Sequence, residues 1–269
     1  MKLIIDSGST KMHLCLLARD GSVRQWERPG VNALTASADE LKAIFNEEKW
    51  PELAFVYFYG AGMIGDDVRE KVKSALPPAK IRTEVESDLL GAARALFPGH
   101  EDGVACIMGT GSNSGYYNGY SIERNIPPLG FIIGDEGSGA DIGRRFLRLL
   151  YRGEFDPEVR SIFERETGLS YSDVLEQVYR RPNPNRFLAS MIPFIREHIA
   201  QFPYLRKPVH DSFWEFYWNI LCHYGKKRLG FVGGVAETFR EEVIYVFDRE
   251  CSVFDIQARP MDGLIKFHS

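Results

Sequence analysis

Lys2-Leu-Ile-Ile-Asp-Ser-Gly-Ser-Thr10 and Ala105-Cys-Ile-Met-Gly-Thr-Gly-Ser-Asn113 decide how this chain is read. Each is an apolar strand that runs into a bend of small residues, x-Gly-Ser-[Thr/Asn], and each bend starts a second strand. The second strands reach matching hairpin signals, Asp20-Gly21 and Asn118-Gly119, where positive φ favours Asn, Asp and Gly. Working outward from the first copy, strands read over 2–6, 14–18 and 23–27, a helix near 38–48, a strand over 53–59, a helix over 66–76, a strand over 81–86 and a helix over 88–97. After the second copy, helical stripes take over from 139 to about 227: Ile142, Phe146, Leu149 and Leu150, then Phe213, Phe216, Tyr217, Ile220 and Tyr224, with a loop at 181–185. The tail returns to strand 228–232, helix 236–249, strand 252–256 and a short helix from about Met261. Such alternation is α/β. Two similar β-β-β-α-β-α halves facing each other account for it; two unrelated hairpins are the alternative that spacing leaves open.

Composition excludes several function classes. The 269 residues carry 33 Lys+Arg against 37 Asp+Glu, so the net charge is −4, and no basic block exceeds Lys226-Lys227-Arg228. That is not the electrostatic footprint of a duplex-binding protein, so nucleic acid is not expected as a partner. The longest apolar run, over 53–59, is seven residues, against roughly 18 for a membrane helix, so no membrane span is expected. The opening Met-Lys-Leu-Ile-Ile-Asp is too short in apolar residues for a secretion signal, which gives a cytoplasmic expectation. Cys15, Cys106, Cys222 and Cys251 are far apart, with no Cys-x-x-Cys pair, and read as reduced thiols.

Ten of the 25 glycines fall between Gly103 and Gly143, and the chemistry-bearing motifs gather around such small-residue bends. A strand–turn–strand with small residues exposes backbone N–H groups without a Cβ in the way, which suits phosphate. Asp6-Ser-Gly-Ser-Thr-Lys11 adds a carboxylate for Mg²⁺ and a cation for phosphate charge; Gly109-Thr-Gly-Ser-Asn113 repeats the bend without the acid. Asp88 follows a strand and opens a helix behind Ser87 as N-cap, where it either complements the helix dipole or accepts a proton from a substrate hydroxyl. Gly134-Asp-Glu-Gly-Ser-Gly-Ala140 joins apolar 131–133 to a helix. Its spacing admits a dinucleotide loop after a strand, but Asp135 and Glu136 would repel a pyrophosphate. They suit polyol hydroxyls, or Asp135 or Ser138 simply caps the helix. Phe231-Val-Gly-Gly-Val-Ala236 lets a flat ring approach a helix start. A P-loop and a His-Glu-x-x-His site are both absent.

Taken in order, Asp6-Ser-Gly-Ser-Thr10, Tyr59-Gly-Ala-Gly62, Ser87-Asp-Leu-Leu-Gly-Ala-Ala93, Met108-Gly-Thr-Gly-Ser-Asn113, Gly134-Asp-Glu-Gly-Ser138 and Val232-Gly-Gly-Val235 resemble the N-acetylglucosamine kinase-like family. That family groups with the BadF-type ATPases, the benzoyl-CoA reductase activators, in the actin, sugar kinase and Hsp70 superfamily. The resemblance spans nearly the whole chain. It implies two ribonuclease H-like lobes with a cleft between them, ATP and Mg²⁺ in that cleft, and closure around a sugar. The expected division is 1–102, joined by the C-terminal helix 258–269, and 103–257 with a helical insertion.

By the same resemblance Asp6 is the Mg²⁺-associated acid, Gly8, Ser9, Thr10 and Lys11 form the first phosphate loop, and Thr110 and Gly111 form the second. Asp88 matches the catalytic base, Asn32, Asn113 and Asp135 the sugar-hydroxyl ligands, and Gly233 and Gly234 the adenosine-side loop. Two positions depart from the pattern. Lys11-Met12-His13 stands where many relatives carry Lys-Thr-Asp, and Leu129 where the animal sugar kinase has a Trp. The implied activity is an ATP-dependent phosphotransfer to an N-acetylglucosamine-like amino sugar, and relatives often form dimers. Two other readings stay open: an activator ATPase that drives a redox partner through an iron–sulfur cluster, and a sugar or nucleotide sensor without turnover.

Overall fold

A computed structural model describes residues 1–8, 11–31, 33–46, 49–225 and 227–269. The described chain divides into two compact units. One comprises Met1–Gly103, Tyr117–Glu123 and Arg259–Ser269, the other Val104–Tyr116 and Arg124–Ala258.

The first sheet contains β1 (Lys2–Ser7), β2 (Lys11–Leu17), β3 (Val23–Pro29), β4 (Leu53–Gly60) and β5 (Ala79–Ser87), in the order β3-β2-β1-β4-β5. β1–β2 and β2–β3 are antiparallel, whereas β1–β4 and β4–β5 are parallel. The period of two in β1 explains why both faces are covered. Leu3 and Ile5 join Leu14, Val56 and Phe58 against the helices α1 (Ala38–Asn46) and α2 (Asp66–Ala75), which contribute Leu41, Phe45, Val68 and Val72. Ile4 points the other way and packs with Cys15, Tyr59, Ala95, Met261 and Leu264. That second face is covered by α3 (Asp88–Leu96) and the C-terminal helix Met261–His268. β3, at the sheet edge, is mostly exposed, and its Arg24, Glu27 and Arg28 are the charges expected on an edge strand.

The second sheet contains β6 (Gly103–Met108), β7 (Ser112–Tyr117), β8 (Ile122–Asn125), β9 (Arg228–Val232) and β10 (Ser252–Gln257), in the order β10-β9-β6-β7-β8. Numbered from β6, this is again 3-2-1-4-5, with β6–β9 and β9–β10 parallel. The repeat read from the two bends is therefore a repeat of topology, and the α/β, ribonuclease H-like class of both halves follows. Between β8 and β9 runs the helical segment, opened by α4 (Gly130–Ile133) and α5 (Gly139–Tyr151) and closed by the helix Arg206–Asn219. Phe146, Phe163, Phe194, Phe213 and Phe216 form its core. No helix among the described residues is long and apolar enough to cross a membrane.

Five local readings are corrected. Residues 131–133 are one helical turn rather than a strand: Gly134 N–H donates to Gly130 O at 2.8 Å and Asp135 N–H to Pro128 O at 2.9 Å, so the chain closes on itself. A short apolar run carries no period to tell the two apart. The helix expected over 236–249 is two pieces, Gly234–Thr238 and Arg240–Phe247, broken at Phe239 with φ −113° and ψ 39°. The loop at 181–185 already contains the start of the helix Pro184–Ala189, whose proline sits at the first helical turn, where no N–H is needed. The first hairpin loop has three residues, bounded by Ala18 N–H donating to Ser22 O at 2.9 Å, with Gly21 at φ 83°. The second is centred one residue later than expected, on Gly119 (φ 96°) and Tyr120, inside the Asn118 N–H to Ser121 O bond.

Candidate functional site

In the first unit the polar groups collect at the carboxyl edge of the parallel strands, where α/β sheets hold ligands. Ser7, Gly60 and Ser87 are register partners across β1, β4 and β5, so Asp6 and Asp88 flank one row. Ser87 caps α3 by accepting the Leu90 N–H at 3.2 Å, which leaves Asp88 as the first helical residue, its Oδ1 accepting the Leu89 N–H at 2.8 Å. Burial raises the Asp88 carboxyl above the ordinary aspartate range despite that bond. Burial, with the charge of Asp88 added, pushes Asp6 up to about 7. The two carboxyls thus share one electrostatic environment.

The edge is braced from below. Ser7 is fully buried; its Oγ donates to Val31 O at 3.2 Å and its carbonyl accepts the Ala61 N–H at 3.1 Å. Gly8 N–H donates to Lys11 O at 2.9 Å, closing the first bend, and the Lys11 amine extends to Glu27 Oε2 at 3.2 Å. Ser9, Thr10 and Asn32, three of the expected ligands, lie outside the described residues.

In the second unit the bend after β6 meets the start of α5. Gly139 N–H donates to Gly109 O at 2.8 Å and Ala140 N–H to Thr110 O at 3.1 Å. Ser138 caps α5 by accepting the Asp141 N–H at 3.2 Å. Capping is therefore the role of Ser138, and the Asp135 carboxylate instead accepts from the Ser112 and Gly130 backbones. Asp135 has φ 58°, a conformation uncommon outside glycine, and its carboxylate stands where a Cβ on Gly111 would meet Oδ2 at 2.9 Å. Burial lifts it to about 6, against the lowering hydrogen bond from the Ser112 backbone. Thr110, Gly111 and Asp135 are thus brought together. Asn113 Oδ1 accepts from Ser114 N–H at 2.9 Å and from Asn125 Nδ2 at 3.0 Å, so its acceptor is already in use.

Gly233 and Gly234 follow β9, on the same edge as the bend after β6. Gly233 takes φ 133°, and a Cβ there would strike the Met108 backbone; a Cβ on Gly234 would meet nothing within 4 Å. The first glycine is required by packing and the second leaves open backbone.

Sequence reasoning passed over three features. Ser112 Oγ is buried and has no hydrogen-bond partner among the described residues, while the Ser112 backbone N–H donates to the Asp135 carboxylate. Tyr59 OH links Arg94 Nη1 at 2.7 Å to His268 Nε2 at 2.8 Å beneath α3. Glu27 gathers Lys11, His13 and Arg259. The last two sets join residues more than 200 apart in sequence, beyond any local signal. Cys15 and Cys106 are buried in strands, and Cys222 and Cys251 are partly buried.

Similarity to solved structures now bears on identity. Over 100% of this chain and 98% of its own, a "putative N-acetylglucosamine kinase" from Porphyromonas gingivalis superposes with a TM-score of 0.92 at 39% sequence identity. The chain belongs to the N-acetylglucosamine kinase-like family. A protein of the same description from Chromobacterium violaceum matches with a TM-score of 0.73 at 18% identity, again over 100% and 98% of the two chains. The activator of 2-hydroxyisocaproyl-CoA dehydratase from Clostridium difficile, solved with bound ADPNP, matches at 0.50 and 13% identity over 98% and 91%. These last two share the fold with this family member and show nothing finer. Neither a protein-family model nor a curated protein matches the sequence.

Proposed function

We propose that this chain is an ATP-dependent sugar kinase that transfers the γ-phosphoryl group of ATP to a hydroxyl of an N-acetylhexosamine, with Asp88 as the general base. The observation that carries the reading is the desolvated Asp88 carboxyl at the mouth of α3, on the same sheet edge as Asp6. A carboxylate with raised proton affinity is suited to take the hydroxyl proton as oxygen attacks phosphorus.

The donor set fits a hard divalent cation. Burial and the Asp88 charge both oppose ionisation of Asp6, and a neighbouring cation removes that opposition. Asp6 would hold Mg²⁺ or its waters. When bound, Mg²⁺ would neutralise charge on the transferring phosphoryl group.

The remaining roles follow from what each group offers. Gly8, Ser9, Thr10 and Lys11 bind phosphate on one bend, and Thr110 and Gly111 on the other. Asp135, held at the edge of the second bend, accepts hydrogen bonds from sugar hydroxyls, and Asn113 donates through its amide nitrogen, because its oxygen is engaged. Asn32 is the third sugar ligand. Gly234, with open space over its α-carbon, receives the adenine side of the nucleotide after the turn at Gly233.

A coupled ADP-release assay over a panel of sugars tests the proposal. N-acetylhexosamines should stimulate turnover, and Asp88→Asn should lower it by about 10²- to 10⁴-fold, the usual contribution of a general base. Full activity in that variant, or no sugar-stimulated turnover in the intact protein, removes the reading.

A further inference from the structure

Glu27 lies on β3 directly opposite His13 on β2, and His13 lies directly opposite Asp6 on β1. Opposed residues share a face of the sheet, so Glu27, His13 and Asp6 form a row that leads to the first bend. Three basic side chains converge on Glu27. Lys11 Nζ is 3.2 Å from Oε2, and His13 Nε2 at 2.8 Å and Arg259 Nη1 at 2.5 Å both reach Oε1. These contacts hold the Glu27 carboxyl down at about 2.

The cluster carries more positive charge than Glu27 neutralises. Arg259 Nη1 also stands 2.8 Å from His13 Nε2. One ring nitrogen cannot donate to Glu27 and accept from Arg259 at once, so one of the two contacts goes unmade in either tautomer. Lys11 and Arg259 alone carry two permanent positive charges against the single charge of Glu27. The Lys11 side chain is 66% exposed and Arg259 54%, so both cations can swing on their stems to another anion. Lys11 is itself the last residue of the first bend, tied by its carbonyl to the Gly8 N–H.

We propose that Lys11, His13 and Arg259 form a polyphosphate-binding cluster whose resident counterion is Glu27, and that the phosphates of a nucleoside triphosphate displace it. This rests on the kinase reading for its natural ligand and adds to it two phosphate contacts, His13 and Arg259, and one opposing charge. A polyphosphate has several oxygens for three donors and more negative charge than a carboxylate, so it satisfies the cluster better. Glu27 sets how much better: binding must compete with an anion already in place.

The test is calorimetric titration at one pH and low salt, with inorganic tripolyphosphate, ATP and AMP as probes. Glu27→Gln keeps the shape of the side chain and removes its charge. It should tighten tripolyphosphate and ATP by about 2- to 5-fold, the range expected of a partly exposed ion pair, and leave AMP nearly unchanged. Arg259→Gln in the otherwise unaltered protein should weaken tripolyphosphate by a similar factor, and the gain from Glu27→Gln should shrink in high salt. Unchanged or weaker tripolyphosphate binding in Glu27→Gln, with a ligand-free melt proving it folded, overturns the proposal, as does a gain confined to ATP. Should Glu27→Gln fail to fold, Arg259→Gln decides alone, and undiminished tripolyphosphate binding there is equally fatal. Absence of sugar-stimulated turnover in the unmutated protein would instead remove the kinase reading and leave these titrations standing.

Discussion

Asp6 titrates near neutrality in the fold, about 7 against an ordinary 3.8, which gives ligand-free stability a definite sign with pH. Between those values the folded chain holds a proton that the unfolded chain has released, so the contribution of Asp6 to stability falls as pH rises from about 4 to about 7. Asp6→Asn should therefore match the parent in urea midpoint near pH 4, exceed it increasingly up to about pH 7, and keep a constant lead above that. A midpoint difference that is flat with pH would contradict the burial described for this carboxyl. Saturating Mg²⁺ should close the gap at pH 8 and do nothing for the variant. The presence of an acid at position 6, and of another at 88, was legible from their settings at a bend and at a helix start. The coupling between them was not, because it depends on β1 and β5 sharing an edge through β4. Asp135 is a third case: its neighbours admitted capping by Asp135 or by Ser138, and the structure gives the cap to Ser138.

The helices that cover the inner face of the first sheet depend on two close approaches. A Cβ on Gly91 of α3 would come within 2.8 Å of the Tyr59 side chain, and one on Gly263 of the C-terminal helix would strike the Ala95 carbonyl. Gly91→Val should cost about 1–3 kcal/mol by overpacking, read as a lower urea midpoint, and should lower kcat by tilting the first turn that carries Asp88. Tyr59 then joins the two helices through Arg94 and His268. Burial, with Arg94 and Lys2 nearby, drops His268 to about 3, so it is neutral in the fold. The unfolded chain takes up a proton there below about pH 6.5, and the stability this histidine contributes is lost as pH falls from that point. His268→Gln should lose that acid-side slope, a change visible in midpoints between pH 6.5 and 4. Elements with a clear period, such as β1, β4, α3 and α5, were readable because burial on one face or both leaves a pattern. Residues 131–133 and the break at Phe239 were not, since a four-residue turn is too short for a period and a kink inside an amphipathic stretch preserves it.

At the scale of the molecule, two sheets of identical strand order each carry their small-residue bends on the carboxyl edge. The duplication could be seen in the sequence because the bends are local; nothing local marks Tyr117–Glu123, which cluster with the first unit. A ligand that binds only the folded chain raises its stability by an amount set by concentration over Kd, about 2.7 kcal/mol at a hundredfold excess. Thermal melts with Mg²⁺–ATP and with each sugar should therefore rank the candidate substrates, with the best sugar giving the largest rise. No rise with any nucleotide would count against both phosphate bends. The unit that holds Asp6 and Asp88 is finished by Arg259–Ser269, which bring Met261 and Leu264 into its inner core. The core around Ile4 and Cys15 is therefore closed by residues far along the chain from them, pairings whose loop-closure entropy is lost before any contact repays it.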